Sequence, residues 1–401
     1  MKKMLLVFFY GLCFFAIISN MYCINFCNAT SNILVNQDNF SFVVDLGADD
    51  NISKLRKKIN GKTKEEQVET INKLLTMNFS LVDAINYVYP NFEKSVNAIA
   101  EKYYVGPQEP SVYADENNCK ILFKSGKNGV KMNKNAFYLN FYDYLCDKTE
   151  LKIAKEKIKY IETLDECKSR FNKVAEFETS FNNGNVSRVN NIEVACKAIN
   201  GAMILSGEEF SFNKATGIRN EANGYSKAKI IKNGEFVDGV GGGVCQVSTT
   251  LYNACLLAGL TVSEVHNHTL PVSYVKPCFD AMVNIGSADL RIKNNTSNDY
   301  IITTSVNGGV CRVCIYGIKP EYEIKTRYEK YEVIQPESDL IETKVSIDEN
   351  LDPGEVRISY GAEGYKAKGY IDYYKDGVLI KSELIRDNVY AAKRGVVWKV
   401  E

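Results

Sequence analysis

The sequence predicts an α+β, multidomain protein: a central domain with a Cys-bearing helix packed on an antiparallel sheet, followed by an all-β C-terminal domain. Three observations carry this. Val247, Leu251, Ala254 and Ala258 recur at intervals of four, three and four, the period of a helix with one face on a core. Residues 51–104 repeat apolar positions at the same helical interval. Asn307-Gly308 and Lys375-Asp376-Gly377 sit between runs of strand-forming residues, as hairpin turns do. The expected boundaries are residues 1–29 for a targeting segment, 30–165 for an α+β module, 177–317 for the central domain and 320–401 for the β-rich domain.

The elements follow in order. Lys2 and Lys3 precede Met4 to Ile18, an uncharged and nearly all-apolar run that reads as a secretory signal. Extended through Phe26, the run reaches the roughly 20 residues that span a bilayer. Cleavage after Ala29 and retention as a single membrane anchor both fit, so the remainder is expected to be exported, either membrane-anchored or secreted. Residues 53–59, 64–77 and 92–103 read as helices, with Ser80 as N-cap of a further one. Residues 105–110 form a turn-rich linker, 111–114 and 119–124 short strands, 135–144 a strand or helix, and 151–161 an amphipathic stretch. In the C-terminal region residues 323–330, 339–347, 367–374 and 378–386 read as strands, with a turn at 351–354.

Charge and cysteines narrow the function. The 49 basic and 49 acidic residues cancel, leaving no net charge to attract nucleic acid. With 45% hydrophobic residues the chain can bury real cores, which excludes global disorder. Of 12 cysteines, Cys13, Cys23 and Cys27 lie in or beside the targeting segment. An odd number remains, so at least one thiol is free or pairs between chains. Cys311 and Cys314 resemble a metal or redox pair, but on a strand positions i and i+3 face opposite sides, and neither role is expected.

Chemistry concentrates in the central domain. Gly241-Gly242-Gly243 permits positive φ and close backbone approach, which sets Cys245 at or beside a helix N-terminus. Unpaired N–H groups and the helix dipole favour a thiolate there. The same residues also suit a glycine turn feeding a buried helix, with Cys245 as a small apolar filler. The chain's two histidines, His266 and His268, both follow this helix. Residues 260–274 alternate as a strand does, which would turn both imidazoles to one face.

A thiol at a helix start, a later histidine and a more distant aspartate resemble the chain order of papain-like and transglutaminase-like cores. That resemblance implies Cys245 as nucleophile, His268 as general base and Asp280 as orienting carboxylate, with Asp289 as a second candidate. Gln246, or backbone N–H groups near Gly243, would stabilise an oxyanion, and Gly241, Gly242 and Arg188 are assigned to binding. The alternatives are plain: His268 holds a turn, and Asp280 caps a turn or pairs with Lys276 or Arg291. Ser248, Thr249 and Thr250 read as helix-face hydroxyls. A zinc site from Cys245, His266 and His268 would need a further ligand, so neither metal nor cofactor is expected.

The motifs also resemble a known family. Phe177-Glu178-Thr179-Ser180-Phe181, Asn200-Gly201-Ala202-Met203-Ile204, the Gly-Gly-Gly-Val-Cys-Gln stretch and Asp289-Leu290-Arg291-Ile292-Lys293 are similar, in order, to a VanW domain. His268-Thr269 replaces the family's usual His-Ser, and Pro277-Cys278 its Pro-Gly. Ser206 replaces a proline, and His266 stands where arginine is common. Residues 110–131 resemble the peptidoglycan-binding module that often precedes such domains. Gly354, Gly361, Gly364 and Gly369 resemble the spacing of the five-glycine (G-five) domain. These resemblances imply an exported cell-envelope protein facing the wall, with peptidoglycan or another surface polymer as partner. They imply either a non-enzymatic wall-associated protein or a cysteine amidase or transpeptidase. A part in vancomycin resistance follows only from the family's name, and oligomeric state is not legible.

Overall fold

The computed structural model describes residues 32–37, 40–45, 63–116, 118–146, 151–232, 235–336, 342–345, 356–359 and 361–399. The expected targeting segment, the helix at 53–59 and the turn at 351–354 lie outside the described residues. No helix among the described residues is long and apolar enough to cross a membrane. The chain divides into two compact units, residues 1–110 with 125–163, and residues 111–124 with 164–401.

In the first unit, β1 (Asn32–Gln37) and β2 (Phe40–Asp45) pair antiparallel. Three helices follow: α1 (Lys64–Thr76), α2 (Leu81–Val88) and α3 (Phe92–Lys102). Thr63 and Glu66 form a reciprocal capping box on α1, and Ser80 caps α2 through the Asp83 N–H. The chain then supplies β3 (Ser111–Ala114) and β4 (Ile121–Lys124) to the second unit. It returns as β5 (Gly129–Met132), α4 (Lys134–Leu145) and β6 (Lys155–Ile158). Phe92 of α3 and Phe137 and Phe141 of α4 are fully buried together with Ile71 and Ile85. The expected linker at 105–110 is tied down, because Val105 and Gln108 bridge to Val130 and Lys127.

The second unit contains α5 (Leu164–Ser169), β7 (Asn172–Ser180), α6 (Val186–Ile199), β8 (Met203–Ile204), β9 (Glu209–Ser211) and α7 (Phe212–Thr216). A hairpin of β10 (Lys227–Lys232) and β11 (Glu235–Val240) leads to α8 (Val244–Leu257). Then come β12 (Thr261–Glu264), β13 (Arg291–Lys293), β14 (Tyr300–Asn307) and β15 (Val310–Gly317). Strands β7, β15, β14 and β8 form an antiparallel sheet in that order, and α8 packs on β7 and β15. The α+β architecture, with the cysteine-bearing helix on an antiparallel sheet, is therefore as the sequence predicts. Val247 and Leu251 of α8 are fully buried with Val313 and Ile315 of β15. The i, i+3 geometry of β15 holds too. Cys311 Sγ lies 3.5 Å from Cys196 Sγ on α6, whereas Cys314 Sγ lies 3.6 Å from Glu176 and interacts with Cys119.

The remaining elements are all strands, as expected: β16 (Glu323–Ile334), β17 (Glu342–Val345), β18 (Val356–Ser359), β19 (Gly364–Lys375), β20 (Val378–Tyr390) and β21 (Val396–Lys399). They form two three-stranded sheets, β16-β19-β20 and β17-β21-β18. Asp376 and Gly377 both take positive φ, 52° and 79°, in the tight turn that joins β19 to β20.

Candidate active site

The site begins with the glycine turn. Gly243 is the N-cap of α8 at φ 110°, which a side chain rarely adopts. A Cβ on Gly242 would lie 2.5 Å from the Lys229 carbonyl oxygen, so only glycine lets the turn pass that close. Asn191, fully buried, pins it. Its Nδ2 donates to Gly242 O (2.9 Å) and Ser226 O (3.0 Å), while its Oδ1 accepts from Ser226 N (2.7 Å). Val244 N and Gln246 N close onto Gly241 O and Gly243 O. From Val244 to Leu256 every residue of α8 is buried except Cys245, which is half-buried.

The polar face of α8 fixes the segment that carries Asp280. Asn253 Nδ2 donates to Phe279 O (2.8 Å), the Thr249 hydroxyl accepts from Ala281 N (3.0 Å), and Ser248 Oγ donates to Ala281 O (2.6 Å). These hydroxyls are helix-face tethers, as the sequence suggests. Asp280, 1% exposed, accepts at Oδ2 from His268 N (2.6 Å) and lies 2.7 Å from His268 Nδ1. His268 is 6% exposed. Its imidazole also hydrogen-bonds Cys245, whose Sγ donates to Val283 O at 3.5 Å. The structure thus brings Cys245, His268 and Asp280 together in that order.

A fourth member comes from far along the chain. Tyr390, at the end of β20, donates its hydroxyl to Asp280 Oδ1 (2.6 Å) and accepts from Cys278 N (2.7 Å). Cys278 holds φ 70°, a left-handed conformation that a glycine would take freely. Its thiol donates to Ala367 O on β19 (3.0 Å). The strand-rich C-terminal region therefore buttresses the aspartate.

The electrostatics favour an ion pair. Burial pushes the Cys245 thiol up, but the hydrogen bond and charge of His268, with the Arg219 charge, outweigh it and bring the pKa below the ordinary 9.0. Burial pulls His268 down, yet Asp280 and Cys245 raise it to about 9. Asp280 is held below its usual value because the His268 and Tyr390 hydrogen bonds overcome desolvation. These directions favour a thiolate beside an imidazolium, backed by a carboxylate, over the neutral pair.

Several expectations need correction. β12 ends at Glu264, with a register shift between Val262 and Glu264, so the two histidines do not share a strand face. His266 Nε2 turns instead to Glu264 Oε1 at 3.0 Å. Asp289 does not serve His268: its oxygens accept from Ser211 Oγ (2.5 Å) and Asn213 N (2.9 Å) at the start of α7. Asp280 takes His268 and Tyr390 rather than Lys276 or Arg291. The Gln246 amide is committed elsewhere and is unsuited to an oxyanion, since Nε2 donates to Thr179 Oγ1 (3.0 Å) and Ser180 O (2.9 Å). Its Oε1 accepts from Arg188 Nη2 at 2.8 Å, and the Arg188 stem packs against Gly243. Arg188 and Gln246 together brace the turn. Sequence reasoning missed Asn191, Tyr390 and Arg219. It also missed Tyr274, whose hydroxyl bonds Thr249 within range of the Cys245 charge. No local pattern marks Tyr390, Arg219 or Tyr274.

Comparison with known proteins adds four findings. The family model described as "VanW like protein" matches residues 187–316. The chain is similar to the uncharacterized protein YoaR of Bacillus subtilis (strain 168), 33% identical over 231 residues, covering 57% of this chain and 75% of that one. It is also similar to the vancomycin B-type resistance protein VanW of Enterococcus faecalis (strain ATCC 700802 / V583), 29% identical over 126 residues, or 30% of this chain and 46% of that one. Among solved structures, the crystal structure of HP0197-G5 matches 20% of this chain and 99% of its own at 22% identity. Its TM-score of 0.11 carries no argument about fold or function.

Proposed function

The chain belongs to the VanW-like family, and from that premise we propose that its central domain is a cysteine acyl-transfer site of an exported cell-envelope protein. The substrate class is the peptide portion of the cell wall. One observation supports this above all: α8 is buried along its length but opens at Cys245, where the thiol meets His268 with Asp280 behind it.

In this reading the Cys245 thiolate attacks an amide carbonyl, and the backbone N–H of Cys245 at the helix start faces the developing oxyanion. His268 gives its proton to the departing amine as the C–N bond breaks, leaving a thioester on Cys245. Water or a second amine then attacks the thioester carbonyl, His268 takes the incoming proton, and the C–S bond breaks to release the acid or new amide and restore the Cys245 thiolate. Asp280, held by Tyr390, keeps the imidazole oriented. Attachment to the wall falls to the flanking regions through their resemblance to peptidoglycan-binding and five-glycine domains. The apolar run after Lys2 and Lys3 supports export.

The test incubates the full chain and its Cys245→Ala form with peptidoglycan fragments and follows the products by mass spectrometry. Cleavage or transfer by the wild type, with a thioester adduct on Cys245 and neither event in the variant, is the expected result. Equal binding of the fragments by both forms with no product from either would leave a non-enzymatic wall-binding protein instead.

A further inference from the structure

Arg219 is a half-buried cation near the thiol, with two buried and unspent donors. It follows α7, and its stem lies against the first glycine of the turn, since a Cβ on Gly241 would approach Arg219 Cβ to 3.3 Å. Nη2 donates to Asn213 Oδ1 (2.6 Å) and Thr216 Oγ1 (3.3 Å), both neutral acceptors. Nε and Nη1 are buried and have no hydrogen-bond partner among the described residues. Asp289, the nearby carboxylate in its field, spends its oxygens on Ser211, Asn213 and Leu290. A guanidinium stays charged, and leaving its N–H groups desolvated and unpaired is strongly unfavourable. Such a group becomes favourable when an anion arrives. Its charge is also among the influences that lower the Cys245 thiol, which places it within electrostatic reach of the reacting sulfur.

We propose that Arg219 receives a carboxylate of the substrate acylated at Cys245, so that the substrate class is an acyl donor with a free carboxylate near the scissile carbonyl. One cation with neutral supports matches a singly charged anion better than a doubly charged phosphate. This inference rests on the reading of Cys245 as a reactive thiol.

Two alkylating reagents separate the two ideas. Iodoacetate carries a carboxylate beside its electrophilic carbon, whereas iodoacetamide has the same reach without the charge. Peptide mapping by mass spectrometry gives the rate of each at Cys245 and at the exposed Cys146, which serves as internal reference. The expected result is an iodoacetate-to-iodoacetamide ratio at Cys245 at least about tenfold above that at Cys146. That excess is lost in Arg219→Gln and partly kept in Arg219→Lys, with near-UV circular dichroism confirming that both variants are folded. A Cys245 that reacts rapidly with iodoacetamide but shows no iodoacetate preference would overturn the inference and leave the thiol reading intact. A preference that survives Arg219→Gln would overturn it as well. A Cys245 no faster than Cys146 with iodoacetamide would overturn the thiol reading and the inference with it.

Discussion

Replacing His268 with Ala is expected to lower acyl transfer at Cys245 by about 10²–10⁴-fold, the usual contribution of a positioned acid–base group. Two losses combine. Burial alone pushes the Cys245 thiol up, and His268 is the chief influence that reverses this, so its removal leaves mostly protonated sulfur at neutral pH. The leaving amine also loses its proton donor. The loss should appear in kcat, because His268 is buried against Asp280 and acts on the reacting atoms rather than on distant parts of the substrate. Alkylation of Cys245 by iodoacetamide at pH 7 should fall in the same variant, which separates thiol activation from proton donation. An unchanged rate in both assays would remove His268 from the mechanism.

Tyr390→Phe should lower stability by about 1–3 kcal/mol and reduce kcat with little change in KM. The substitution keeps the ring and its packing but deletes the hydroxyl that donates to Asp280 Oδ1 and accepts from Cys278 N. Both groups are buried, and neither gains a new partner from phenylalanine. Asp280 then loses one of the interactions that hold its carboxylate ionised and in place. Urea unfolding measures the first effect and turnover of wall fragments the second. The physical content is that β20, in the C-terminal strands, is part of the site's framework. A chain ending before β16 would lack Tyr390 and the Ala367 carbonyl that holds Cys278.

The parts legible in the sequence are those encoded locally. The period of Val247, Leu251, Ala254 and Ala258 marked α8, and the three glycines marked a turn with positive φ at its N-cap. The scarcity of histidine drew attention to His268, and Asp280 followed from the chain order of similar cores. Roles set by distant partners were not legible. Gln246 looked available beside the thiol, but Thr179 and Ser180 on β7 take its amide hydrogens. Asp289 had the right chemistry, yet the fold spends it on capping α7. Alternation through residues 260–274 suggested one long strand, whereas pairing with β13 stops at Glu264 and frees the chain to swing His268 inward. Arg219 and Tyr390 reach the site only through tertiary contacts across the second unit.

The most direct test of the central claim, a Cys245 thiolate paired with a His268 imidazolium, is the pH dependence of Cys245 alkylation by iodoacetamide. The thiolate is the reactive form, so a lowered pKa keeps the rate high as pH falls below the ordinary thiol value of 9.0. The expected curve holds a plateau through neutral pH, with a second inflection near pH 9 where His268 loses its proton. In His268→Ala the plateau should vanish and the curve should become a single high-pH rise. A wild-type curve with one ionisation at or above 9.0, unchanged by His268→Ala, would contradict the ion pair.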